Sequence, residues 1–148
     1  MKAILISLIV IGLLGCSPKE QQSNVSGHWK LHLGHWSGPF SADLNLTEDG
    51  GVIAGTYTVG HGDDGQPETF KVSGVRVQKE VELTWTQNID RNGVNSLDYT
   101  LQGTIAGNKT MSGKYEGKFA YSPEIMMIRM RQKTPSQDLA GLWVAEKQ

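Results

Sequence analysis

From Gly27 onward, apolar and polar residues alternate with a period of two, the repeat of a strand with one buried face. Trp29, Leu31 and Leu33 alternate with His28, Lys30 and His32, and Phe40, Ala42, Leu44 and Leu46 alternate with Ser41, Asp43, Asn45 and Thr47. After the turn signal Glu48-Asp49-Gly50-Gly51, a third run puts Ile53, Gly55, Tyr57 and Val59 on one face. Phe70, Val72 and Gly74 make a fourth run, and Val81, Leu83 and Trp85 a fifth. Leu97, Tyr99, Leu101, Gly103 and Ile105 make a sixth, closed by Ala106-Gly107-Asn108; Met111, Gly113 and Tyr115 make a seventh. Met126, Ile128 and Met130 alternate with Met127, Arg129 and Arg131 in an eighth, and Leu142-Trp143-Val144-Ala145 is a last short run. No stretch keeps helical spacing. The pattern predicts an all-β protein, an antiparallel up-and-down meander of about eight strands over residues 27–148. Closing it into a barrel removes its unpaired edges; a two-sheet β-sandwich is the alternative.

Inward positions then follow from the alternation. They are Trp29, Leu31, Leu33, Phe40, Leu44, Tyr57, Phe70, Leu83, Trp85, Leu97, Tyr99, Met111, Tyr115, Ile128 and Trp143. An eight-stranded barrel either fills with side chains or holds one small ligand, and this many large residues favours filling. If a small apolar ligand does enter, Trp29, Tyr57, Trp85, Tyr99 and Tyr115 are its expected contacts, with the tyrosines as polar handles. A short repeat, Ile53-Ala54-Gly55-Thr56-Tyr57 and Met111-Ser112-Gly113-Lys114-Tyr115, places a glycine inside two strands. Such glycines mark bends or close approach of another backbone.

The first 26 residues are different. Met1 and Lys2 precede an apolar run from Ala3 to Leu14, too short to span a bilayer as a helix, which takes about 20 residues. It reads as a signal peptide over residues 1–15. Its end, Leu13-Leu14-Gly15-Cys16, resembles the bacterial lipobox, which implies cleavage before Cys16, acylation of the cysteine, and attachment of the protein to a lipid bilayer. More than one acyl chain makes such attachment stable. In a Gram-negative cell, Ser17, where Asp would signal inner-membrane retention, favours the periplasmic side of the outer membrane. Residues 16–26 are expected to be the lipidated cysteine and a polar tether. Cys16 is the one cysteine in the chain, so no intramolecular disulfide can form.

Two barrel superfamilies share the start of the domain. Gly27-His28-Trp29 is similar to the Gly-x-Trp that opens lipocalins, and with Gly55-Thr56-Tyr57 it is similar to avidin-type barrels. Leu31, His35 and Val59 stand where an avidin would offer polar groups to biotin, and only Tyr57 fits, so the likeness stops at the fold. The whole domain looks more like small bacterial barrel modules of unknown function with a Gly-x-Trp at each end, here Gly27-His28-Trp29 and Gly141-Leu142-Trp143.

Candidate chemistry is sparse. His28 and His32 lie on one strand face about 13 Å apart, too far to share a metal ion, and His35 is expected in a turn. Asn88-x-Asp90-x-Asn92-Gly93 resembles half of a calcium loop, but Asn88 and Tyr99 occupy its first and twelfth positions, where carboxylates are needed; a hairpin turn explains it better. Asp63-Asp64-Gly65 reads as another turn. No nucleophile elbow, catalytic thiol or phosphate-cradling loop is present, and carboxylates are expected in turns or on outward faces. The net charge of −1 and the absence of a basic patch argue against a nucleic-acid partner. The chain is therefore expected to be non-enzymatic, without metal or cofactor. It is read as a binding or accessory module of the cell envelope for protein or polymer, with a lipocalin-like carrier as the alternative.

Overall fold

The computed structural model describes residues 24–35, 38–60, 66–91, 93–132 and 138–148. The signal peptide, Cys16, most of the tether, and Asp63-Asp64-Gly65 lie outside the described residues. Eight strands run β1 (Gly27–His35), β2 (Gly38–Asp49), β3 (Val52–Val59), β4 (Glu68–Val77), β5 (Glu80–Arg91), β6 (Val94–Ala106), β7 (Thr110–Tyr121) and β8 (Leu139–Lys147), with one helix, α1 (Pro123–Gln132), before β8. Each strand pairs antiparallel with its sequence neighbour, and β1 pairs with β8, so the sheet closes into the up-and-down barrel that the alternation predicts. The two Gly-x-Trp motifs meet at that closing seam, where Leu33 pairs with Trp143 and Trp29 with Lys147.

Turn chemistry sets the register. Gly50 and Gly51 form the two-residue β2–β3 turn with φ of 57° and 86°, the mirror-image geometry that matches strand twist and favours glycine at both positions. The glycines of the short repeat serve close approach. A Cβ at Gly55 would strike the Asn45 carbonyl oxygen, and one at Gly113 that of Gln102.

Both ends can be told apart. The base carries the β2–β3, β4–β5 and β6–β7 hairpins with Asn24 and Gln148, the first and last described residues; the rim carries the opposite strand ends and α1. The base half is solid. Trp29, Leu31, Leu44, Ile53, Leu83, Leu101, Met111, Tyr115 and Trp143 are all under 2 % exposed or nearly so. The Trp143 indole N–H donates to the Gln102 and Lys114 carbonyls at 3.2 and 3.1 Å.

The structure corrects five details. The eighth run is not a strand: residues 123–132 form α1, and Met126, Ile128 and Met130 are exposed rather than inward. Methionine and arginine are good helix formers, Ser122 caps the helix with Pro123 at its first turn, and Glu124 and the two arginines suit its dipole. Phe40 keeps an inward register opposite Leu33, yet close to the rim end of its strand it is 41 % exposed. β1 runs through His35 instead of turning before it. The expected tether ends before Ser26, because Val25 is fully buried. Its N–H donates to Glu48 Oε2 at 2.9 Å and its carbonyl accepts the Trp29 indole N–H at 2.8 Å. Finally, one carboxylate expected outside is inside. Glu48 continues the inward face of Leu44 and Leu46, and pairs there with Arg76.

Candidate functional site

The wall of the barrel is incomplete in its rim half. β4 and β5 pair from Val77↔Glu80 to Ser73↔Thr84 and no further, although β4 begins at Glu68 and β5 reaches Arg91. Their other neighbours stay with them: β3 pairs β4 as far as Val59↔Glu68, and β5 pairs β6 through Asn88↔Ser96. The result is a cleft of about 530 Å³ between the two strands. Thr69, Lys71 and Ser73 form one lip; Thr84, Thr86 and Asn88 form the other, backed by Asp98 and Thr100 of β6. A second depression of about 500 Å³ lies over Val75, Val81 and Gln102 nearer the base. There the β4–β5 ladder is intact beneath it, so it is a surface dimple.

Aromatic rings floor the cleft. Phe70, Trp85 and Tyr99 line it directly. Trp85 is stacked between Tyr57 and Tyr99, with centroids 4.5 and 4.9 Å away and ring planes tilted 25° and 22°. Phe70 lies 6.2 Å from Tyr57, and Tyr115 lies 6.3 Å from Tyr99, extending the row. The alternation places each of these inward; the stack follows because Trp85 and Tyr99 face each other across β5–β6 and Tyr57 and Phe70 across β3–β4. Of the five expected interior contacts, Tyr57, Trp85, Tyr99 and Tyr115 come together in this row. Trp29 is engaged elsewhere, with its N–H on Val25 and the Lys147 ammonium 5.3 Å from its ring centre.

The polar groups of the row are unequal. Burial, reinforced by Tyr115, pushes the Tyr99 hydroxyl up to about 12. Burial, reinforced by Tyr99, pushes Tyr57 higher still, and burial raises Tyr115. All three are neutral donors across the physiological range, and Tyr115 spends its proton on the Gly34 carbonyl at 3.0 Å. Trp85 does not spend its own. Its side chain belongs to a residue 4 % exposed, and its indole N–H is the buried side-chain group without a partner among the described residues. Such a donor costs about 1–3 kcal/mol to leave unpaired. On the lips, Asp98 accepts the Thr86 hydroxyl at 2.7 Å, and Lys71 has no ion pair among the described residues.

The other candidates resolve as surface chemistry. His28 and Lys30 both reach Asp43, at 3.5 and 3.1 Å, and His32 meets Ser41 at 2.8 Å. No group of three or more His, Cys, Asp or Glu side chains is placed to hold a metal ion among the described residues. Asn88 stands on the cleft lip, and Gly93, with φ of 74°, serves the β5–β6 hairpin.

No protein-family model matches the chain, and no curated protein matches it. Among solved structures it is similar to a redesigned β-barrel, with a TM-score of 0.55 and 11 % identity over 84 % of this chain and 91 % of that one. The likeness shows the fold. At that identity it carries no activity with it.

Proposed function

We propose that the protein is an exported, lipid-anchored binding module of the cell envelope, which takes its partner into the cleft between β4 and β5. One observation carries the reading: an interrupted barrel wall floored by Trp85, whose buried N–H has no partner among the described residues. Binding proteins keep such groups where a ligand can satisfy them. Anchoring rests on the lipobox resemblance at Cys16, and in a Gram-negative cell Ser17 favours the periplasmic face of the outer membrane. Asn24 enters at the base, so an anchor on Cys16 would hold the base toward the bilayer and leave the rim free.

The carrier reading draws on the aromatic row, but its ligand would lie in the wall rather than in the lumen, because the base half is filled. Two measurements test the proposal. Labelling with radioactive palmitate should mark the wild type and not Cys16→Ser, and membrane fractionation should follow the label. Native mass spectrometry of the full chain, extracted from envelopes in mild detergent, should show a retained partner that Thr86→Trp, which plugs the cleft, releases. Equal retention by the plugged variant would sink the cleft as the binding surface; a small apolar molecule held by the wild type would turn the reading to a carrier.

A further inference from the structure

We infer that the occupant of the cleft is an extended peptide segment, docked as an additional strand between β4 and β5. This rests on the binding-module reading and names its ligand class. In an antiparallel ladder, each residue turns both its N–H and its C=O to the same neighbour, and successive residues alternate. Arg76 N–H donates to the Gly51 carbonyl on the β3 side, so the odd-numbered residues of β4 bond toward β5. Ile105 N–H donates to Lys79, so odd-numbered residues of β5 bond toward β6 and even-numbered ones toward β4. The observed pairs Ser73↔Thr84, Val75↔Glu82 and Val77↔Glu80 agree. Continuing the ladder would pair Lys71 with Thr86 and Thr69 with Asn88, and these four residues are the ones lining the open lips. Their main-chain groups face the cleft from both sides with no strand partner among the described residues.

Two opposed strand edges are complementary to one thing above all, a further extended backbone. It would run parallel to one lip and antiparallel to the other. Its alternate side chains would point inward onto Phe70, Trp85 and Tyr99, which calls for apolar residues, and outward to solvent. The Trp85 N–H would meet a peptide carbonyl. The Lys71 ammonium, which has no ion pair among the described residues, stands on the β4 lip itself and favours an acidic side chain among the outward set; the Asp98 carboxylate stands one strand further off, on β6 behind the β5 lip.

The test uses full-length protein in detergent micelles and a fluorescent peptide of roughly seven residues, about 24 Å when extended, alternating valine with threonine and glutamate. Parallel probes are the same peptide with alternate backbone nitrogens methylated, and a linear N-acetylglucosamine tetramer. Hydrogen exchange at Thr69, Lys71, Thr86 and Asn88 should be fast in the free protein and slow about tenfold or more with the peptide. Lys71→Glu should weaken binding about three- to tenfold, and replacing the peptide glutamate by lysine should restore it. Trp85→Phe should weaken binding by a similar factor. Equal binding of the methylated peptide, or protection by the sugar and not by the peptide, overturns the inference while leaving the cleft as a binding surface. Slow exchange at all four amides in the free protein would mean the lips are already joined, and both readings fall together.

Discussion

The Glu48 carboxylate and the Arg76 guanidinium meet inside the base of the barrel, with their side chains only 4 % and 7 % exposed. Arg76 Nε donates to Glu48 Oε1 at 2.7 Å, and the other carboxylate oxygen takes the Val25 N–H. Breaking such a part-buried pair from one side leaves the other charge short of its hydrogen bonds, at a cost of about 1.5–3 kcal/mol, whereas replacing both partners by apolar groups is far milder. Arg76→Ala should therefore lower urea-melt stability by about that much, and Glu48→Leu with Arg76→Met by much less. Similar losses in the two variants would show that the pair is not desolvated as its geometry implies.

The same carboxylate predicts an acid limit. Burial pushes Glu48 up, but the Arg76 hydrogen bond, the Val25 amide and the Arg76 charge outweigh it and hold the group below its ordinary 4.5. A carboxyl depressed in the folded state contributes stability that is present above 4.5 and is lost as pH falls toward the folded value. The stability gap between wild type and Glu48→Gln should be constant near neutrality and shrink below pH 4.5. A gap independent of pH would contradict the assignment.

At the alkaline end, the aromatic row sets the limit. Tyr99 is pushed from 10.0 up to about 12, first by burial and then by Tyr115. A raised tyrosine favours the folded state fully below pH 10 and loses that contribution as pH climbs toward 12. Phenolate absorbance should show Tyr99 ionising only in that upper window, and Tyr99→Phe should extend the pH range over which the barrel stays folded. Ionisation near 10 in the folded protein would mean water reaches further under the cleft than the packing suggests.

Two tryptophans offer an internal control. Trp143 donates to two carbonyls while Trp85 donates to none among the described residues. Removing a satisfied donor forfeits about 0.5–1.5 kcal/mol, and removing an unsatisfied buried one forfeits nothing of that kind. Thermal melts should show Trp143→Phe costing about 1–2 kcal/mol more than Trp85→Phe. The reverse order would mean Trp85 has an acceptor after all.

Much of this was legible in the alternation alone. A period of two puts Tyr57, Trp85, Tyr99 and Tyr115 inward before any fold is known, and closure of the sheet follows from the cost of free edges. The helix was hidden because Met126 to Arg131 fits a strand's period over six positions; the cap at Ser122-Pro123-Glu124 was the countersignal. Glu48 and Arg76 were legible in principle, since each continues an inward face, from Leu46 and from Gly74. Charge alone argued for solvent there, and only the partner two strands away decides it. The cleft had no local sign. Thr69, Lys71, Thr86 and Asn88 are ordinary outward residues of regular strands, and where a ladder stops depends on how the closed sheet coils.

Val25 has a mechanical consequence. The residue that leads into β1 is gripped twice, through its amide by Glu48 and through its carbonyl by Trp29, while Gln148 at the other terminus bonds back to His28 beside it. Tension drawn along the chain from the N-terminal side would reach the packed base before it reached the hydrogen bonds joining β1 to β8. The base is thus the first part of the barrel that such a pull would meet, ahead of the β1–β8 seam.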